Sequence, residues 1–270
     1  MSTTTDVDLG WAIDEDLPPG PYPRDSQLVF RRVPELVTRE ATRGKPGRVL
    51  DVACGLGGQL ALLRERGWEG WGLDASMPLA SYCRQRFADD GGAPVVVATA
   101  DSLPFRDASF DRIVCQGSLD HFPKPREFMR ELSRVLKPDG KAVIGISNFD
   151  SLSCRLGRGL YGLSERFGRD VYNGRSYWQI PDNHTFKGTY KVLRDLGQPY
   201  LRLEACYGIS LMWLFNRWTR LMEALPEPIA MGTLKLMDRI AYRVPALADL
   251  LGSVWRPAGA ARAQAGGTGA

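Results

Sequence analysis

Two rhythms of apolar residues alternate along the chain. Short, mostly β-branched runs fall at 48–52, 70–74, 95–98, 112–115 and 141–147. Between them, 57–66, 78–88 and 125–136 carry apolar residues three and four apart. The first rhythm belongs to buried strands, the second to amphipathic helices. Their strict alternation predicts an α/β fold: a doubly wound, mainly parallel sheet with helices on both faces.

The flanks read differently. Residues 25–43 space Leu28, Val29, Val33, Leu36 and Val37 as a helix would, with Pro34 a blemish in its middle. That helix either covers a ligand as a lid or packs on the sheet edge. Residues 1–20 are acidic and then proline-rich, as expected of a flexible arm. Downstream, 148–181 has no clean period. A helix is predicted at 184–196, capped by Asn183 or Asp182. A sixth strand follows at 200–207, helical stripes at 211–225 and 229–244, and a last strand at 250–255. The Ala/Gly-rich 257–270 is expected to be disordered.

One junction carries the chemistry. Val49-Leu-Asp-Val-Ala-Cys-Gly-Leu-Gly-Gly58 runs from an apolar strand into a glycine turn, and a helix follows at once. Such a turn lets a ligand approach the backbone. Asp74 closes the second strand, at an offset that suits the two hydroxyls of a ribose. The glycines do not follow the dinucleotide spacing, and the Gly-Lys-Ser/Thr of a phosphate loop is absent. No Lys or Arg lies between Val49 and Leu63. A loop without cations suits a cationic or zwitterionic ligand, and Asp51 could attract a ligand ammonium.

Composition narrows the class. A formal charge of +4 over 270 residues lacks the concentrated basic stripe of a nucleic-acid binder. Five scattered cysteines with no Cys-x-x-Cys argue against a disulfide framework and a structural zinc. The start has no basic and apolar leader, and the longest apolar run, 209–215, is too short to span a bilayer. The expectation is a soluble cytoplasmic protein without nucleic-acid partner or stable membrane insertion.

Asp51-Val-Ala-Cys-Gly-Leu-Gly57 resembles the first motif of class I S-adenosylmethionine-dependent methyltransferases, with Ala53 where the first glycine usually sits. Further landmarks follow in order: Asp74, then Ala98-Thr-Ala-Asp101-Ser102-Leu-Pro-Phe105, Ser109 to Gln116, and Val135 to Gly140. The subgroup looks like the one that includes ubiquinone-biosynthesis methyltransferases. The resemblance covers roughly 48–147 and implies a Rossmann-like fold with S-adenosyl-L-methionine as cofactor. It implies cofactor contacts from Asp51, Ala53, Gly55, Gly57, Asp74, Ala75, Asp101, Ser102 and Gln116. It also implies a short hairpin between the last two strands, where this chain inserts about 40 residues. The chain then divides into an arm and lid helix (1–46), a cofactor-binding core (47–147), an acceptor-binding elaboration that completes the sheet (148–256), and the tail.

Methyl transfer from a sulfonium needs positioning and water exclusion more than acid–base help, unless the acceptor must lose a proton. The candidate catalytic residues are His184 and His121; each could equally cap or pack a loop. Tyr172, Tyr177 and Trp178 could wall an apolar acceptor or fill the core. The arginines between 155 and 175 read as a solvated face. No metal-ligand spacing is present. The two stripes after Leu211 could touch a membrane or a second subunit, as in a homodimer, with ordinary core or pocket lining the preferred reading. The leading expectation is methylation of a small, partly apolar acceptor, at oxygen, in secondary metabolism. The alternatives are carbon methylation of an isoprenoid, quinone or lipid, and a cofactor-binding partner or sensor without turnover.

Overall fold

The computed structural model describes residues 22–166 and 177–258. The predicted arm, the tail beyond 258 and Tyr172 lie outside the described residues. In chain order the elements are α1 (Arg24–Ala41), β1 (Arg48–Val52), α2 (Gly58–Arg64), β2 (Glu69–Asp74), α3 (Met77–Arg86), β3 (Val95–Val97) and β4 (Phe110–Gln116). After a 3-10 turn at Leu119–His121 come α4 (Pro125–Val135), β5 (Leu136–Ser147), α5 (Leu152–Arg166), α6 (Tyr190–Gly197), β6 (Leu201–Ile209), α7 (Asn216–Ala224), α8 (Glu227–Arg243), a second 3-10 turn at Pro245–Leu247 and β7 (Leu250–Pro257).

The strands form one seven-stranded sheet in the order β3-β2-β1-β4-β5-β7-β6. The first five run parallel; β7 is antiparallel to both β5 and β6. This is the Rossmann-like α/β fold. From β1 the chain winds outward to β2 and β3, then returns to place β4 and β5 on the other side. The winding therefore reverses between β1 and β4, and a crevice opens there at the carboxyl ends of the strands.

Pleating sends neighbouring side chains to opposite faces. Leu50, Ile113 and Ile144 pack one way, onto Phe128, Met129 and Leu132 of α4. Val49, Val114, Val143 and Val254 pack the other way, beneath Val37 and Ala41 of α1 and Leu63 of α2. The first helix thus lies across the sheet's face rather than on its edge.

Three elements depart from the expected ones. The segment after Ser147, read as without period, holds the 15-residue α5. Gly157, Gly159 and Gly162 dilute its helical signal. The helix expected from His184 starts at Tyr190, with Thr189 as its cap: the Val192 N–H donates to Thr189 Oγ1 at 3.1 Å. His184 itself closes a turn, its N–H donating to the Pro181 carbonyl at 3.0 Å, and Thr185 ties this loop to the one after β4, its N–H donating to the Asp120 carbonyl at 2.7 Å and its Oγ1 to that of Phe122 at 2.8 Å. The stripe at 211–225 is helical only from Asn216; Ser210, Met212 and Leu214 adopt positive φ. The 40-residue connection from β6 to β7 carries α7 and α8. Asp249 pins it, accepting from Ser153 Oγ (2.6 Å) and from the Trp213 N–H (2.8 Å). Burial pushes the Asp249 carboxyl up to about 7, against the pull of those hydrogen bonds.

Candidate functional site

The β1–α2 turn is held by backbone. The Cys54 N–H donates to the Leu73 carbonyl at 3.0 Å, and the Gly57 N–H to that of Cys54 at 2.8 Å. Ala53, Gly55 and Gly57 have φ of 58°, 49° and 77°, so three of five consecutive residues are left-handed. At Gly57 glycine is also a steric need: a Cβ would stand 2.8 Å from Cys83 Sγ and 2.9 Å from a Phe87 ring carbon. At Gly55 a Cβ would meet nothing among the described residues within 4 Å. Ala53 accepts the strained conformation without a glycine's freedom.

Carboxylates crown the turn. Asp74, at the tip of β2, accepts from the Gly55 N–H through Oδ2 and from the Ser76 N–H through Oδ1, both at 2.9 Å. Asp51, at the tip region of β1, is 1% exposed. Burial raises its carboxyl well above the usual range, and the charges of Cys83 and Asp74 push the same way; the Leu60 amide opposes them. Among the described residues its Oδ2 has no hydrogen-bond partner, and neither have Oε1 of Gln59 and Oε1 of Gln116, although all three atoms are buried. Gln59 is fixed from its other end, donating to Thr38 Oγ1 of α1 at 2.8 Å. Buried acceptors without donors are costly, and three of them around a glycine bend fit a ligand rich in donors or positive charge. A cation reaches the turn from outside: Arg86 of α3 donates to the Leu56 carbonyl at 2.9 Å. Ala75 is half-buried beside Asp74, and Ser102 is exposed. Asp101, past the end of β3, pairs with Lys124 at 3.5 Å.

A second cluster sits past β4. His184 Nδ1 lies 3.3 Å from Asp120 Oδ2, with side-chain exposures of 9% and 3%. The His121 and His184 rings meet edge to face at 4.5 Å, and Phe149 closes on His184 at 5.4 Å. His121 Nδ1 is 3.3 Å from the Asn183 carbonyl. Burial raises the Asp120 carboxyl, and the neighbouring His121 counters it. Ligating atoms of Asp120, His121 and His184 lie within 4.8 Å of one another, a juxtaposition of metal-ligand types that chain spacing alone did not indicate. Asp120 and Gln59 are the polar residues of this region that sequence reading passed over. The signals were the Asp-His pair directly after the fourth strand and a lone glutamine on the buried side of α2.

Tyr177 and Trp178 pack on α5. Tyr177 donates to the Ser153 carbonyl at 2.8 Å, and Trp178, 6% exposed, rests over Gly157. Arg155 and Arg158 both pair with Asp150, at 2.8 and 3.1 Å. A cavity of about 590 Å³ opens elsewhere, between α4 and α6, lined among others by Lys124, Phe186 and Leu196. None of the residues around the glycine turn lines it.

Residues 50–144 match the family described as methyltransferase domain. A demethylmenaquinone methyltransferase of Clavibacter sepedonicus is 39% identical over 97 residues, 36% of this chain and 40% of that protein. The methyltransferase GfsG of Streptomyces halstedii is 39% identical over 101 residues, 36% of each chain. The chain spans about two fifths of the length of the curated relatives it matches first. Among solved structures, the PH0226 protein of Pyrococcus horikoshii superposes with a TM-score of 0.55 at 21% identity, over 87% of this chain and 94% of that one. That likeness extends to the fold.

Proposed function

We propose that the chain is, through residues 50–144, a class I S-adenosylmethionine-dependent methyltransferase and that it methylates a small, partly apolar acceptor at oxygen. One observation supports the reading: Asp51 Oδ2 and Gln116 Oε1, buried without a hydrogen-bond partner among the described residues, stand at the strand tips on either side of the winding reversal, with the glycine bend at Gly55 on the same strand end. When bound, S-adenosylmethionine supplies a methyl group already activated on a sulfonium.

The residues then divide the labour. Asp51 and Gln116 receive the ammonium end of the cofactor's methionine, which supplies donors to these buried oxygens. Asp74 keeps acceptor capacity on both oxygens for ribose hydroxyls, because each backbone donor uses one lone-pair direction. Gly55 and Gly57 let the ligand come against the main chain, with Ala53 and Ala75 beside it. Asp101 and Ser102 flank the adenine. His184 is the general base for a hydroxyl acceptor. Nδ1 stands 3.3 Å from Asp120 Oδ2, so Asp120 is the positioning residue that favours a proton on Nδ1 and leaves Nε2 as the basic nitrogen. His121, packed edge to face on His184, walls the same corner.

Carbon methylation of a quinone-like acceptor is the second reading, favoured by the likeness to a demethylmenaquinone methyltransferase. Titration calorimetry with S-adenosylhomocysteine tests the core of the proposal. Binding at one site per chain, weakened markedly in Asp74→Ala, is expected; no detectable binding by the wild type overturns it. Mass spectrometry of products made with a deuterated methyl donor then separates oxygen from carbon transfer. Absence of any methylated product in the native host's extract favours a sensor without turnover.

A further inference from the structure

We propose that the outward face of α8 is a docking surface for an anionic lipid membrane. Ile229, Leu236 and Ile240 lie along one side of this helix, 55%, 55% and 44% exposed, and Val244, 41% exposed, follows at its C-terminal cap. Ala230, Leu234 and Ala241 lie about 120° round the helix from that row and are buried. At 100° per residue the three exposed helical side chains fall within about 40° of helix circumference. Immediately beside them, on one flank, stand Lys235, Arg239 and Arg243, all exposed.

The basic flank has depth. Arg239 and Arg243 line a cleft of about 270 Å³ with Arg32, Arg39, Asp238 and Tyr242. Arg32 is engaged by Asp238 at 2.8 Å and by Glu35 at 3.0 Å, and Arg39 by Glu40 at 2.9 Å. Among the described residues, Arg239 and Arg243 make no ion pair.

The two properties together choose the occupant. A second copy, docked by a two-fold axis, would set this basic row close to its own image. A nucleic acid would use the cations and leave the aliphatic row in water. An anionic bilayer surface uses both: the aliphatic side chains enter the headgroup boundary, and the cations reach lipid phosphates. No helix of the described chain is long and apolar enough to cross a membrane, so α8 would lie on the surface rather than span it.

Co-sedimentation of the full chain with vesicles tests this without reference to methyl transfer. The probes are phosphatidylcholine vesicles and vesicles containing 30 mol% phosphatidylglycerol, at low salt and at 0.5 M NaCl. The wild type should partition about tenfold or more toward the anionic vesicles, and salt should weaken it. Arg239→Gln with Arg243→Gln should cut that partitioning roughly 30-fold. Leu236→Ser with Ile240→Ser should cut it about tenfold. Both variants change exposed side chains, and unchanged thermal melts confirm that they fold. Equal partitioning to both vesicle types, none at all, or wild-type behaviour of both variants overturns the proposal. So does a wild-type dimer in analytical ultracentrifugation that Leu236→Ser with Ile240→Ser dissociates, which would give the face to a second copy.

Discussion

Nδ1 of His184 faces Oδ2 of Asp120 at 3.3 Å, although one residue follows β4 directly and the other sits in the loop before α6. The contact is almost dry, and the Thr185 bonds to the Asp120 and Phe122 carbonyls hold the two loops together. His184→Ala is therefore expected to lower kcat by about 10²–10⁴ on a hydroxyl acceptor, while cofactor affinity stays within about twofold. Asp120→Asn should lower kcat by about tenfold or more with KM unchanged, since it upsets the tautomer and not the pocket. Steady-state kinetics and calorimetry on both variants check this. A KM effect alone would reduce the pair to loop packing.

Asp51 links cofactor binding to protons. Burial raises its carboxyl, so the unliganded protein keeps the neutral form to a higher pH than a free aspartate would. A cationic ligand prefers the carboxylate. Affinity for S-adenosylmethionine should then rise as pH climbs through the raised value, and binding below it should release protons. Calorimetry in buffers of different ionisation enthalpy reads the release directly. Asp51→Asn should abolish it and weaken binding about 10- to 100-fold.

The glycine turn makes a paired prediction. Ala53→Gly removes a left-handed strain of roughly 1–2 kcal/mol and costs roughly 0.5–1 kcal/mol in chain entropy. A gain on the order of 0.5 kcal/mol follows, a small upward shift of Tm. Gly57→Ala goes the other way, because its Cβ collides with Cys83 and Phe87. It should lower Tm by several degrees and impair cofactor binding. Differential scanning calorimetry of the two variants separates strain from sterics.

Asp249 sets a pH dependence of stability. Its folded value is about 7, above the unfolded value near 3.9. Between these the native state binds more protons than the unfolded one, so this group's contribution to stability falls as pH rises from about 4 through 7. Asp249→Asn should flatten that decline, by on the order of 5 °C in Tm across the range. Thermal melts from pH 5 to pH 8 measure it; equal slopes in both proteins would remove Asp249 as the cause.

How much of this was legible beforehand depended on locality. The alternation from residue 48 to 147 survives into strands and helices because each element there buries its own contiguous pattern. The glycine turn, Asp51 and Asp74 lie on that stretch and could be read directly. What escaped was set by partners far along the chain. The α5 sequence has three glycines, and an exposed row of Leu156, Leu160 and Leu163 in place of a buried stripe. Asp182 and Asn183 look like caps for α6, but they sit in a turn closed by the His184 N–H on the Pro181 carbonyl, and contacts to the 120–122 loop hold the chain out of helix as far as Thr189. Asp120 gained its place beside His184 through tertiary contact alone, which no local spacing records.

The strand order also governs when the molecule can be finished. β7 fills the slot between β5 and β6, giving β6 its hydrogen-bonding neighbour and covering an otherwise bare margin of β5. Until residues 250–257 leave the ribosome, five parallel strands can assemble while the sixth waits with nothing to zip against. A nascent chain stalled before that point would offer two raw sheet margins to its neighbours, so assembly of this half is obliged to follow synthesis rather than keep pace with it.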